Sequence, residues 1–182
     1  MSTFTKLALC LLSFTMGNAS ELEGLTVLLG VGGNNIHDEL AHEAHLGSSL
    51  TFSGQVDYVP DRWGFGPSLY VSRGSNKGLD GLRLEQEEVA LGVRTYARGD
   101  IYFSLGAGVS HIRTEVRDET WLFDRTVRRD FAVYGDVAML FPFGDNLIAG
   151  ATSRYSWTDL QHGKSDPNVG SWSFAAVVGW SF

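Results

Sequence analysis

A chain of 182 residues with 43% hydrophobic and 19% charged positions has room for one compact unit and too much apolar matter to stay disordered. Fourteen Lys and Arg stand against 21 Asp and Glu for a formal net charge of -7, with no long basic tract, so binding to nucleic-acid phosphates has no electrostatic footprint. With 22 glycines and 4 prolines, and no apolar run of about 18 residues beyond the N-terminus, helical membrane spans are disfavoured and a β-rich architecture stays open.

The N-terminus reads as a secretory leader. Lys6 supplies a positive start, Leu7 to Phe14 an apolar stretch, and Gly17 and Ala19 the small residues before a cleavage site, which predicts a signal peptide over 1–19 and a mature domain over 20–182. The leader holds one Lys and no acid, so the mature chain is more acidic still. The single cysteine, Cys10, lies inside the apolar stretch and would leave with it, so no disulfide is expected. A lipoprotein reading of Cys10 is disfavoured by the bulky Leu9 before it.

Beyond residue 24 the hydrophobic period is two, in segment after segment. The first strand runs over Leu25 to Asn34. Next, Leu50, Phe52, Val56 and Tyr58 oppose Ser49, Thr51, Ser53, Gln55 and Asp57, and Trp63, Phe65, Pro67, Leu69 and Val71 oppose Gly64, Gly66, Ser68, Tyr70 and Ser72. Val89, Leu91 and Val93 then face away from Glu88, Ala90, Gly92, Arg94 and Tyr96, and Ile101, Phe103, Leu105 and Val109 from Tyr102, Ser104, Gly106 and Ser110. Phe131 to Phe143, Leu147 to Thr158 and Trp172 to Phe182 complete about eight strands, an even number.

Alternation alone does not say which face is inside, and a soluble sandwich or lipocalin-like barrel would bury the aromatic face. Three features favour the opposite. The strands are about ten residues long, enough to cross a bilayer at a tilt. Aromatic residues gather toward strand ends, as with Phe65, Phe141, Phe143, Tyr155, Trp157, Trp172 and Trp180, which suits interfacial girdles. Long polar connections (Asn35 to Leu46, Gly74 to Gly81, Arg117 to Arg125, Asp159 to Gly170) alternate with short ones at Pro60-Asp61-Arg62, Arg98-Gly99-Asp100 and Gly144-Asp145-Asn146. The expected fold is therefore an all-β, eight-stranded, antiparallel up-and-down transmembrane barrel in the outer membrane, with its long loops outside.

In such a barrel the polar face points into a lumen just wide enough for its own side chains. The expected inward set is Asp57, Glu88, Arg94, Asp130, Asp136 and Arg154, with Tyr70, Tyr96 and Tyr134 around them. Buried charges persist when paired, so these predict an Arg and carboxylate network that plugs the barrel. A narrow conduction path would use the same residues. On the first long loop His37, His42 and His45 stand among Asp38, Glu39 and Glu43, a set that could hold zinc or copper and otherwise reads as a solvated loop. Trp121, Leu122 and Phe123 on a later loop fit a partner contact or a place on the rim. No cofactor is expected.

Trp180 and the terminal Phe182 on an alternating strand resemble the signal read by the barrel assembly machinery, although Val177 stands where its glycine is usual. With the leader and the eight-strand pattern, nearly the whole mature chain resembles the superfamily of small eight-stranded outer-membrane β-barrels, which includes opacity-type, OmpA-like and OmpX-like proteins. The resemblance implies a non-enzymatic barrel displaying acidic loops, for surface interaction or envelope integrity, among outer-membrane lipid and lipopolysaccharide; the loop ligand stays open. The last quarter is also similar to the outer-membrane lipid A deacylases, whose His-x-Ser pair is followed, after a Pro-Asn turn, by a Glu. Ser156 matches the nucleophile and Pro167-Asn168 the turn, but Arg154 replaces the His and Trp172 the Glu. A guanidinium cannot take the serine proton, so this resemblance implies at most an altered site around Ser156.

Overall fold

The computed structural model describes residues 24–36, 48–60, 64–77, 82–97, 100–118, 125–158 and 169–182. Eight strands follow in chain order: β1 (Gly24–Ile36), β2 (Ser48–Val59), β3 (Phe65–Lys77), β4 (Leu82–Ala97), β5 (Tyr102–Asp118), β6 (Arg125–Phe143), β7 (Leu147–Thr158) and β8 (Val169–Ser181). Each pairs antiparallel with its sequence neighbour, and β1 pairs with β8, so the sheet closes on itself. Closure removes the exposed edges that would invite aggregation. The seam continues to the last residue, where the Phe182 N–H donates to the Leu25 carbonyl at 2.9 Å.

The period-two pattern sorts the side chains. Leu29, Phe52, Leu69, Leu91, Val109, Phe131, Val133 and Phe174 point outward and are exposed, whereas Thr26, Ser49, Gln55, Asp57, Arg94, Ser104, Asp136 and Arg154 are buried inside. Apolar outside and polar inside is the inverse of a soluble barrel, and it matches a bilayer in place of water. Inside, Leu28, Val59, Tyr96, Ala138, Leu140, Ile148 and Val177 form an apolar cluster, with Tyr102 and Ala175 packed on it. This cluster sits near the start of β1, the end of β8 and the short turns. Gly64 and Gly144 serve two of those turns with φ of +63° and +71°, a left-handed backbone that glycine adopts freely.

The structure corrects the expected strand limits at the opposite end. β3 runs to Lys77, β4 begins at Leu82 rather than near Glu88, β5 continues to Asp118, and β6 begins at Arg125. Residues 74–77, half of the stretch Gly74 to Gly81, are therefore strand. The reason is that pairing outlasts the apolar period: Arg73, Glu85, Glu87, Arg113 and Glu115 occupy the outward face there, and cross-strand ion pairs take the place of lipid contacts.

Candidate functional site

The lumen holds a continuous polar network. β4 contributes Arg94, whose Nη1 donates to Ser104 Oγ of β5 at 2.6 Å and whose Nη2 donates to Gln55 Oε1 of β2 at 3.2 Å. The same guanidinium pairs with Asp136 of β6 and lies 3.6 Å from Asp57 of β2. Gln55 Nε2 donates to Asp57 Oδ2 at 2.7 Å, and the Tyr96 hydroxyl donates to the same oxygen. From β7, Arg154 reaches Asp136 at 3.3 Å and Glu88 at 2.9 Å. Its guanidinium lies between two rings, 3.5 Å from the centroid of Tyr134 and 4.1 Å from that of Tyr70.

Register explains why these side chains meet. Arg94 stands opposite Gly106, Gly106 opposite Asp136, and Asp136 opposite Arg154, so one row of the sheet carries both guanidiniums and their shared carboxylate. Glycine at 106 is required by that convergence: a Cβ there would fall on the Asp136 carboxylate and within 3.1 Å of Arg94 Nη2. Two arginines face three acids, and the Arg94 and Asp57 side chains are 1% and 0% exposed. Charges so deeply placed hold only because each has a partner.

Of the residues singled out in the sequence, Asp57, Glu88, Arg94, Asp136 and Arg154 are thus brought together. Asp130 lies in β6 opposite Ile112, and its side chain is outside the described residues. His37, His42 and His45 and Trp121 to Phe123 also fall outside them. Trp180 and Phe182 point outward at the end where the seam closes. Ser156 is buried, with its hydroxyl 3.4 Å from Glu88 Oε1, and Arg154 stands two residues before it. The one histidine among the described residues, His111, faces outward against Phe131. No histidine therefore stands beside Ser156 among the described residues, and the carboxylate next to it, Glu88, is held in an ion pair by Arg154.

A second constellation escaped the sequence reading. On the outward face, above the apolar belt, Arg73 of β3, Glu85 and Glu87 of β4, and Arg113, Glu115 and Arg117 of β5 surround a hollow of about 100 Å³. Arg73 pairs with Glu85 at 3.2 Å, Arg113 with Glu87 at 3.3 Å and with Glu115 at 3.1 Å, and Arg117 also pairs with Glu115. The pairing with Glu115 raises the pKa of Arg117. The signal that could have found this ladder is the same alternation, carried past the apolar residues with charge in place of Val and Leu.

No protein-family model and no curated protein matches the chain. Solved structures match its fold. Neisserial surface protein A superposes with a TM-score of 0.68 at 16% identity, over 88% of this chain and 98% of that one. Ail, the attachment invasion locus protein of Yersinia pestis, gives 0.60 at 12% identity over 88% and 99%. The N-terminal β-barrel domain of Pseudomonas aeruginosa OprF gives 0.58 at 12% identity over 88% and 98%. The chain has the fold of these small eight-stranded barrels. The similarity to lipid A deacylases finds no support in these comparisons or in the surroundings of Ser156.

Proposed function

We propose that this chain is an integral outer-membrane protein that works without catalysis, a plugged barrel that holds the segments 37–47, 78–81, 119–124 and 159–168 at the cell surface for interaction or envelope integrity. The observation that carries this reading is the filled lumen beneath an apolar exterior. Paired charges and the cluster around Leu140, which fills the end near the short turns, together occupy the lumen and leave a rigid scaffold whose variable parts are loops. The likeness in fold to a surface protein and to an attachment protein supports display at the surface. A narrow channel is disfavoured by the same filling.

Gel mobility of the outer-membrane fraction, unheated against boiled in mild detergent, tests the placement. A heat-modifiable band in that fraction is expected, and a soluble periplasmic protein with no shift would overturn it. Planar-bilayer recording tests the plug: verified insertion with silent membranes is expected, and discrete conductance steps would favour the channel instead.

A further inference from the structure

The outward ladder on β3 to β6 is organised in rows. The lowest, directly above the apolar belt, reads Arg73, Glu87, Arg113 and Arg129 across the four strands. Above it Ser75, Glu85, Glu115 and Val127 form an acidic row, and above that Lys77, Arg83 and Arg117 a basic one. Six of the chain's 14 Lys and Arg thus gather here against three carboxylates, on a protein whose net charge is -7. Register also sets like charges directly opposite each other: Arg83 against Arg117 and Glu85 against Glu115, which answer one another through the Arg83–Glu85 and Arg117–Glu115 pairs, and Arg113 against Arg129. Directly opposed like charges destabilise a sheet, and at Arg113 and Arg129 an anion lying between them offsets that cost.

An apolar groove meets the lowest row. Gly54 of β2 leaves a notch in the outward face between Leu29 of β1 and Val71 of β3, and the groove of about 400 Å³ that it opens runs past Phe52 and Val89 to Arg73 and Glu87. Arg73 borders both this groove and the charged hollow. One amphiphile with an anionic head and an alkyl tail would satisfy both.

We propose that the outward face of β2 to β6 seats one phosphate-bearing lipid of the outer leaflet, with an acyl chain in the notch at Gly54 and its phosphate groups held along the row, by Arg73 beside the notch and by the neighbouring Arg113 and Arg129 farther on. Guanidinium forks match phosphate oxygens bidentately, and the row lies at the boundary between apolar and charged surface, where a headgroup resides. The glycine notch has room at its base: a Cβ at Gly54 would lie 3.6 Å from Val71 and 3.9 Å from Leu29, ordinary contacts, so a Cβ there is compatible with the fold and a longer side chain would extend outward into the notch.

The inference rests on the proposed placement in an outer membrane, and its test separates the two. The full chain is folded into phosphatidylcholine nanodiscs doped with lipid A, either phosphorylated or enzymatically dephosphorylated, and lipid retained after extraction into mild detergent is measured by native mass spectrometry. Heat-modifiable mobility of the same samples reports folding. About one phosphorylated lipid A per folded barrel is expected, with retention falling about tenfold or more in Arg73→Ala/Arg113→Ala/Arg129→Ala and in dephosphorylated lipid. Gly54→Leu, which keeps every guanidinium, is expected to lose retention while folding normally. Folded barrels that retain both lipids equally, or variants that retain as much as the native chain, would overturn the seat. Displacement by inorganic phosphate as effectively as by lipid A would reject the acyl notch. Failure of the native chain to insert would count against the membrane placement itself.

Discussion

The barrel uses Arg and carboxylate pairs in two places, and burial makes them different objects. In the lumen, Arg94 and Asp136 are 1% and 4% exposed, and each charge depends on a fixed partner. On the outer rim, Arg73 and Glu87 are 67% and 41% exposed at 3.8 Å, where water and salt compete for both. The same residue types therefore fill and lock the fold in one place and present charge to the surroundings in the other. Sequence spacing does not separate the two sets; the parity of each residue within its strand, and its height along it, do.

The largest effect should follow from removing one lumen guanidinium. Arg94 serves Asp57, Asp136, Ser104 and Gln55 together, so Arg94→Leu leaves two buried carboxylates short of a partner. A loss of about 3–5 kcal/mol is expected, read as a fall in the urea midpoint of the folded barrel in detergent. Arg154→Leu should approach the same figure, since Glu88 and Asp136 both lose it. An unchanged midpoint in both would mean that the lumen charges are solvated and that the comparison with the rim fails.

Next in size is a change that leaves every charge in place and disturbs only the space between them. Gly106→Val drives a branched side chain into the Asp136 carboxylate and Arg94. Overpacking of this kind costs about 1–3 kcal/mol, so the urea midpoint should fall by less than in Arg94→Leu. Equal losses would show that convergence of the charges, and not their number, limits the lumen.

Ser156→Ala should matter less again. Its hydroxyl donates one long bond to Glu88, which keeps Arg154, so a loss of about 0.5–1.5 kcal/mol is expected. Mass analysis of lipid A from cells carrying the native chain or the variant should be identical. Loss of an acyl chain in the native strain that returns in Ser156→Ala would instead make Ser156 a nucleophile.

Much of this was legible in the sequence because period-two alternation is a local signal. It placed all eight strands, the outward aromatics and the inward Asp57, Glu88, Arg94, Asp136 and Arg154 on opposite faces. Partners were not legible, since Arg94 meets Gln55 and Asp136 only through the register of strands far apart in the chain. The strand ends above the membrane were missed for a related reason. Val89, Leu91 and Val93 announce a strand by alternating with the small Ala90 and Gly92, whereas Arg83 to Glu87 are almost uniformly polar and carry no apolar period, so the strand was read only from Glu88 although β4 runs through them unbroken. Around Ser156 the local signal was informative: Arg154 two residues before it already removed the imidazole of the resembling motif, and in the structure that Arg pairs with Glu88 instead.

The smallest expected effect sharpens the comparison most. Arg73 pairs with Glu85 and Glu87 on the exposed face, and each contact is of the kind worth about 0–1 kcal/mol. Arg73→Ala should leave the urea midpoint in detergent nearly unchanged, and raising the salt concentration should shrink even that difference, because the Debye length falls to about 3 Å at 1 M. Arg94→Leu should keep its full deficit at the same salt, since its partners are inaccessible to counterions. If salt erased both differences alike, the lumen would be open to ions along its length, and the plug formed by Tyr96, Leu140 and Ile148 would have to yield in solution.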